Sequence, residues 1–452
     1  MQKLLNLHKK NFINLLYIIF LGGVSSFSLP PYNYFIINFI TFSLLFIFLF
    51  NKKKIDQNKS FFKYGWCFGF GYFLSSLYWV SISLTFDPSF KFLIPISIVL
   101  LPSFLALFYG LVTYLFAILY SKNLVSSFFI FSLLFGIIEF VRGFIFTGFP
   151  WNLIAFSFSK NIYFIQILSI IGTYSFNLIC ISLFTIPALF ILRKSIKEIV
   201  VCLFFVLVSI GFLSFGILKN SQFNSLTKVK HDYTIRTLSP NIGIDKFYSE
   251  IDELKIIKEL INLSEPNKSK PTIFIWPEGI IPDSYLEDIK IYEDLFSDNF
   301  SENHIIVMGI NSLEYENDKK LIFNSMAFFD YKLNLIYHYK KVDLVPFGEF
   351  IPFEKILGNI GLKTITNNYQ SFSRGSTRKP FNIKNDIFDL KLLSLICYEI
   401  IYSGKISLLQ DEANFIINIS EDGWFGESIG PHQHFSHTIF RAIEEGKNII
   451  RS

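Results

Sequence analysis

Three side chains in the second half of the sequence could together carry acyl-transfer chemistry. Residues 393–399, Leu-Ser-Leu-Ile-Cys-Tyr-Glu, end an apolar run on a thiol, and a thiolate moves an acyl group in two easier steps instead of one hard one. A cysteine nucleophile needs a base and a cation for the developing oxyanion. Glu278 closes Ile273-Phe274-Ile275-Trp276-Pro277, where Pro277 stops a strand; desolvation at such an edge can raise a carboxyl into the range of a general base. Lys341 follows another apolar strand, and Pro346, Gly348 and Pro352 structure the loop that places Glu349. A lysine there supplies fixed positive charge and favours a thiolate. Taken singly, Glu278 also reads as a solvated turn carboxylate, Lys341 as a surface lysine and Cys397 as an inert core thiol. Tyr398 and Glu399 set Cys397 apart, because they end the apolar run in polar groups.

The elements that must hold these groups divide by solvent. At 51% hydrophobic and 17% charged residues the chain falls outside the usual soluble range. Apolar residues dominate positions 11–217, and Lys, Asp, Glu and Asn become frequent after Lys219. A membrane domain at 1–219 and a second domain at 220–452 are expected. About seven apolar runs have the length of a spanning helix: 12–29, 33–50, 61–84, 92–120, 127–147, 163–192 and 199–217. Pro30 and Pro31 predict a tight turn between the first two. Lys and Arg alternate cleanly between the ends of these runs, with Lys3, Lys9, Lys10, Lys52, Lys53, Lys54, Lys59, Lys122, Arg193, Lys194 and Lys197 on one side. That side is cytoplasmic by the positive-inside rule, and an odd number of spans then puts everything after Lys219 outside. No small-residue cleavage site follows the first run, which argues against a removable signal peptide.

A net charge of +5 with dispersed lysines excludes nucleic acid as the obvious partner. Four cysteines, three of them in apolar runs, give no disulfide framework.

From residue 231 onward strand and helix patterns alternate, which predicts an α/β layered domain. Strands are expected at 233–238, 272–276, 304–310, 321–330, 334–339, 390–396 and 414–419, and helices at 250–263, 283–296 and 434–447. Chemistry gathers at strand ends in such domains, and Glu278, Lys341 and Cys397 all sit there. The loop Asn418-Ile-Ser-Glu-Asp-Gly-Trp-Phe-Gly426 suggests a lid or substrate wall carrying Trp424 and Phe425. His432, His434 and His437 have a spacing that zinc could use, but no cysteine lies near and a proline begins the helix, so structural or hydrogen-bonding histidines are expected and no metal. In the membrane half, Glu139 and Arg142 near Thr147-Gly-Phe-Pro-Trp151 read either as an ion pair orienting a helix end, with Trp151 as interfacial anchor, or as a lipid-contacting group. Gly65, Gly69 and Gly71 read as close helix packing or as a substrate groove.

The order Glu, Lys, Cys with Trp-Pro-Glu and Cys-Tyr-Glu resembles the nitrilase superfamily of carbon–nitrogen hydrolases. Leu344-Val-Pro-Phe-Gly-Glu349, Asp422-Gly-Trp-Phe-Gly426, Gly430-Pro-His-Gln-His434 and Thr147-Gly-Phe-Pro-Trp151 are similar to its membrane-bound branch, the apolipoprotein N-acyltransferases, and the resemblance runs from the first span to Ser452. It implies a polytopic α-helical membrane domain plus an α-β-β-α sandwich, without a cofactor. It implies Glu278 as general base, Lys341 as oxyanion partner and Cys397 as nucleophile, with Glu349, Tyr398 and Glu399 supporting and Trp151, Phe247, Trp424 and Phe425 as substrate or lid contacts. The implied reaction moves a fatty acyl chain from phospholipid, through a cysteine thioester, to the α-amino group of the S-diacylglyceryl cysteine of an apolipoprotein. The implied place is the periplasmic face of the inner membrane. A membrane-tethered amidase or nitrilase, or a non-catalytic remnant, is the alternative. Two departures stand out. Where the family tends to carry a tryptophan after Pro240-Asn241-Ile242, this chain has Lys246-Phe247, and it looks C-terminally incomplete at Ser452.

Overall fold

Alternation along the strands after residue 231 sets the layers. The computed structural model describes residues 2–53, 56–226, 231–247, 252–352, 371–406 and 413–452. The chain forms two compact units: Met1–Leu226 with Tyr402–Lys405 and Phe425–Gly446, and Thr227–Ile401 with Ile406–Trp424 and Lys447–Ser452.

In the first unit the helices are α1 (Gln2–Ser25), α2 (Ile36–Lys52), α3 (Asn58–Leu77), α4 (Ile94–Leu119), α5 (Leu124–Arg142), the single turn α6 (Ile162–Ile165), α7 (Leu168–Ile191) and α8 (Ile196–Ser225). Among the described residues five helical stretches are long and apolar enough to cross a membrane: Asn58–Thr85, Pro88–Leu119, Leu124–Arg142, Leu168–Ile191 and Ile196–Ser225. The first two of the seven expected runs are also apolar helices, but shorter, at Phe12–Ser28 and Ile36–Lys52. The glycines of α3 serve packing. A Cβ on Gly65 would stand 2.1 Å from the Tyr109 carbonyl oxygen, and one on Gly71 2.0 Å from that of Ile19, so only glycine lets α4 and α1 approach α3 this closely.

Glu139 and Arg142 are fully buried and ion-paired at 3.1 Å. Arg142 Nη1 donates to the carbonyls of Phe149 (2.6 Å) and Trp151 (2.9 Å). The pair therefore orients the loop after α5 and does not face lipid. Trp151 is 2% exposed, packed against Trp79, His434 and His437, and its indole N–H donates to Gln433 Oε1 at 3.0 Å. It is a core residue rather than a surface anchor.

In the second unit a mixed sheet runs β1 (Thr234–Thr237), β2 (Thr272–Ile275), β4 (His304–Glu316), β5 (Lys319–Phe329), β6 (Leu335–Lys340), and β3 (Ile281–Tyr285) also pairs with β4. A second sheet has the order β10 (Asn448–Arg451), β9 (Phe415–Ile419), β8 (Asp389–Ile396), β7 (Phe381–Lys384). Ile273, Ile275, Ile305 and Val307 pack with Leu390, Leu392, Ile396 and Ile417 between the sheets. The intervening Phe274, Trp276, Ile306 and Met308 face the other way, onto Ile256, Ile257, Leu260 and Ile261 of α9 (Glu253–Ser264) and Phe296 of α10 (Glu293–Asn299). This is the period-2 pleat of a strand buried on both faces, and it produces the expected layering.

One expected element is different. Residues 283–296 were assigned to a helix, but 281–285 form β3, and only Glu293–Asn299 is α-helical. Pairing with β4 captures the short stretch, a tertiary effect that helix propensity does not contain. The β4–β5 hairpin turns at Asn317 and Asp318, both at positive φ (48° and 60°), as a two-residue turn matched to strand twist requires.

Gly309 on β4 lies under the active loop. A Cβ there would come within 2.5 Å of Glu278 Cα. Gly309→Ala is expected to lower stability by about 1–3 kcal/mol and to displace Glu278; thermal unfolding of the detergent-solubilised chain checks the first effect, and Cys397 labelling kinetics the second.

Candidate active site

Parallel pairing of β8 with β9, and the antiparallel steps from β4 through β5 to β6, bring several strand ends to one edge of the sandwich. Glu278 follows β2, Lys341 follows β6, Cys397 follows β8 and Ser420 follows β9. All four side chains are buried.

Lys341 Nζ lies 3.1 Å from Glu278 Oε1 and 2.8 Å from Glu349 Oε1. Asn324 Nδ2 donates to the same two oxygens, at 2.8 Å each. The other oxygen of Glu278 accepts the Glu421 N–H (3.0 Å), and that of Glu349 accepts the Val345 N–H (2.7 Å). Cys397 holds its thiol close enough to Glu278 and Ser420 for each to act on its ionisation. It is a free thiol with φ of 49°, a left-handed conformation that costs a non-glycine residue about 1–3 kcal/mol and turns the chain sharply out of β8 into a 3₁₀ turn, Cys397–Ile401. The three residues read from the sequence are thus brought together with Glu349.

Burial alone would raise the Glu278 carboxyl, but the Lys341 ammonium and the Asn324 and Lys341 hydrogen bonds outweigh it and hold the group below the usual carboxylate range. The expectation of a base raised by desolvation is therefore reversed in sign, because the cation sits too close. Burial likewise disfavours the Lys341 ammonium, yet Glu278 and Glu349 hold it charged well above the ordinary lysine range. For Cys397, burial and the Glu278 and Asp422 carboxylates push the thiol up, against the opposing pull of Lys341 and Ser420. The resting cluster is carboxylate, ammonium and neutral thiol, an arrangement in which a carboxylate could take the thiol proton as sulfur attacks.

Glu399 is the hub behind this cluster. Its Oε1 accepts from Tyr339 Oη (2.8 Å), the N–H groups of Val342 (2.8 Å) and Asp343 (3.1 Å), and Arg378 Nη2 (2.7 Å); its Oε2 accepts the Ile396 N–H at 2.8 Å. Tyr398, beside it, is buried in the same turn. Of the expected lid residues, Phe247 stacks on Trp424 with centroids 5.5 Å apart, and its ring lies 3.1 Å from where a Cβ would stand on Gly279, next to Glu278. Trp151 and Phe425 belong to the other unit, where their rings meet edge to face at 6.1 Å.

Asn324, Arg378, Tyr339, Ser420 and Glu421 were not singled out in the sequence. Asn324 carried a usable signal, a polar residue within the apolar run Leu321-Ile-Phe-Asn-Ser-Met; Arg378 carried none, since a lysine- and arginine-bearing loop reads as solvated.

Opposite changes in thiol reactivity are expected from the two neighbours. Glu278→Gln removes a carboxylate that raises the thiol, so iodoacetamide should label Cys397 faster at pH 8. Lys341→Met removes the cation that lowers it, so labelling should slow. Wild-type labelling should keep climbing through about pH 8.5, where an ordinary cysteine is half ionised. Peptide mass spectrometry of Cys397 measures all three.

Comparisons with known proteins agree with this architecture. Residues 21–186 match the family model described as apolipoprotein N-acyltransferase N-terminal domain, and residues 252–452 match carbon-nitrogen hydrolase. The chain is 30% identical over 445 residues to the apolipoprotein N-acyltransferase of Brucella melitensis, covering 95% of this chain and 82% of that one. It is 31% identical over 448 residues to the one from Rhizobium rhizogenes, with the same coverage. A crystal structure of a carbon-nitrogen hydrolase from Helicobacter pylori is similar over 48% of this chain and 72% of the other, at 14% identity and a TM-score of 0.30. With membrane helices ahead of a carbon–nitrogen hydrolase sandwich, and with relatives of this identity along nearly its whole length, the chain belongs to the apolipoprotein N-acyltransferase family.

Proposed function

We propose that this acyltransferase carries a fatty acyl chain from a membrane phospholipid, as a thioester on Cys397, to the α-amino group of the S-diacylglyceryl cysteine that begins an apolipoprotein. The observation that carries the reading is the buried cluster of Cys397, Glu278 and Lys341 in a chain whose described residues include five membrane-length helices. An acyl donor and acceptor that both live in a bilayer account for joining the two.

In the first half-reaction Glu278 takes the Sγ proton as sulfur attacks the ester carbonyl, and the Lys341 ammonium stabilises the oxyanion. Collapse of the tetrahedral species breaks the ester C–O bond, and the proton held by Glu278 goes to the departing alkoxide, giving a lysophospholipid. In the second half-reaction the acceptor amine attacks the thioester and gives its proton to Glu278. The C–S bond then breaks, and the thiol is reprotonated from Glu278. A carboxylate held ionised by its ammonium neighbour suits this shuttle, since it starts each half-reaction empty of its proton.

Cys397→Ser should abolish both the acyl-enzyme and N-acylation of a diacylated lipopeptide incubated with phospholipid, and mass spectrometry follows each. Release of free fatty acid from the wild-type protein without N-acyl peptide would overturn the reading in favour of hydrolysis.

The lysine clusters put residues 52–59 and 193–197 on the cytoplasmic side, which supports a periplasmic second unit at the inner membrane. A periplasm-dependent reporter fused after Leu226 should then be active, and a reporter that works only in the cytoplasm should be silent there.

A further inference from the structure

Between the ends of β6 and β8 lies a buried ion cluster that the chemistry above does not use directly. Arg378 enters it from the segment ahead of β7. Its Nη2 reaches Glu399 Oε1 at 2.7 Å and Asp343 Oδ2 at 3.1 Å, and its Nε donates to Tyr339 Oη at 3.2 Å. Its side chain is 9% exposed and that of Glu399 is fully buried. We infer that Arg378 is a positioning residue for acyl transfer: its guanidinium fork holds Glu399 and Asp343 together, and so fixes the Cys397 turn to the segment that follows Lys341.

Position in the chain explains why. The N–H of Ile396, directly before Cys397, ends on Glu399 Oε2, and the N–H groups of Val342 and Asp343, directly after Lys341, end on Glu399 Oε1. One carboxylate therefore ties the backbone on one side of the nucleophile to the backbone on one side of the ammonium. A carboxylate removed from water is costly to keep in place unless a cation pairs with it. Arg378 is that counter-ion; burial opposes its charge, but Glu399 and Tyr339 raise it far above the free guanidinium range. The planar fork matters as well as the charge, because Nη2 spans two carboxylates while Nε meets the tyrosine oxygen, a pattern a lysine ammonium reproduces poorly. Through its bond to Glu399, Arg378 acts on the backbone beside both Cys397 and Lys341.

The inference rests on the acyl-transfer reading for its kinetic test, and a second measurement frees it from that dependence. Arg378→Lys and Arg378→Ala are compared with wild type in detergent, using only preparations with a cooperative thermal transition. Displacement of reacting groups by about 1 Å costs on the order of 100-fold, so kcat for N-acylation of a diacylated lipopeptide should fall roughly 10- to 100-fold, with the KM for phospholipid unchanged. Guanidinium or methylguanidinium should restore several-fold of the loss in Arg378→Ala and none in Lys341→Met. Iodoacetamide labelling of Cys397 needs no acyl donor. It should slow in both variants and recover with methylguanidinium in Arg378→Ala, whatever the wild-type activity proves to be. Wild-type kcat and labelling rates in a folded Arg378→Ala protein would overturn the inference, and so would a loss that methylguanidinium leaves untouched. An inactive wild-type protein whose labelling still depends on Arg378 would overturn the acyl-transfer reading alone.

Discussion

A lysine ammonium fully removed from water is the constraint around which the second unit is arranged. Its desolvation is tolerable only with close anionic partners, and Lys341 has two, Glu278 and Glu349. That pairing dictates what the neighbouring strands provide. Asn324 stands across from Lys341 on β5, donates to both carboxylates, and accepts the Lys341 N–H on its carbonyl. The loop of Pro346 and Gly348 bends back so that Glu349 can return to the lysine four residues after Val345 caps it. The thiol shares this space with more carboxylate than ammonium, and burial together with Glu278 and Asp422 keeps it protonated against the pull of Lys341.

The residues of the buried cluster were legible because each ends an apolar run, and a buried strand that stops on Glu, Lys or Cys has few ordinary reasons to do so. The layering was legible for the same reason, as runs such as Ile273-Phe274-Ile275 fill both faces of a sheet. What could not be read depends on partners distant in sequence. Residues 281–285 have no strong strand pattern and become β3 only because β4 offers an edge. Trp151 follows a spanning segment and looks like an interfacial anchor until Gln433, 282 residues away, accepts its indole N–H. The direction of the Glu278 shift is not legible, since burial is visible in a sequence and the distance to a cation is not. Arg378 is the plainest case: its meaning is three contacts with β6, the following loop and the turn after β8.

The glutamate two residues after Cys397 shows how much of the cluster's geometry is held by a group outside it. Glu399 takes no proton in the reaction as drawn, yet backbone amides flanking both Cys397 and Lys341 end on it. A carboxamide of the same shape would offer one acceptor oxygen where this carboxylate offers two, so the identity of the residue is set by geometry as much as by charge.

The helix α11 (Gly430–Glu445) lies between β9 and β10 in sequence, but it is counted with the membrane helices. Its Phe440 and His437 pack on Phe156, Arg441 bonds Thr173, and Glu444 accepts the Thr173 N–H. Between two strands of one sheet the chain thus carries a helix that packs on residues of the first unit. A fragment beginning near residue 227 would carry β1 to β10 and still leave one helix without Phe156 and Thr173. The boundary between the two units is therefore crossed by the chain more than once, and no single cut separates them.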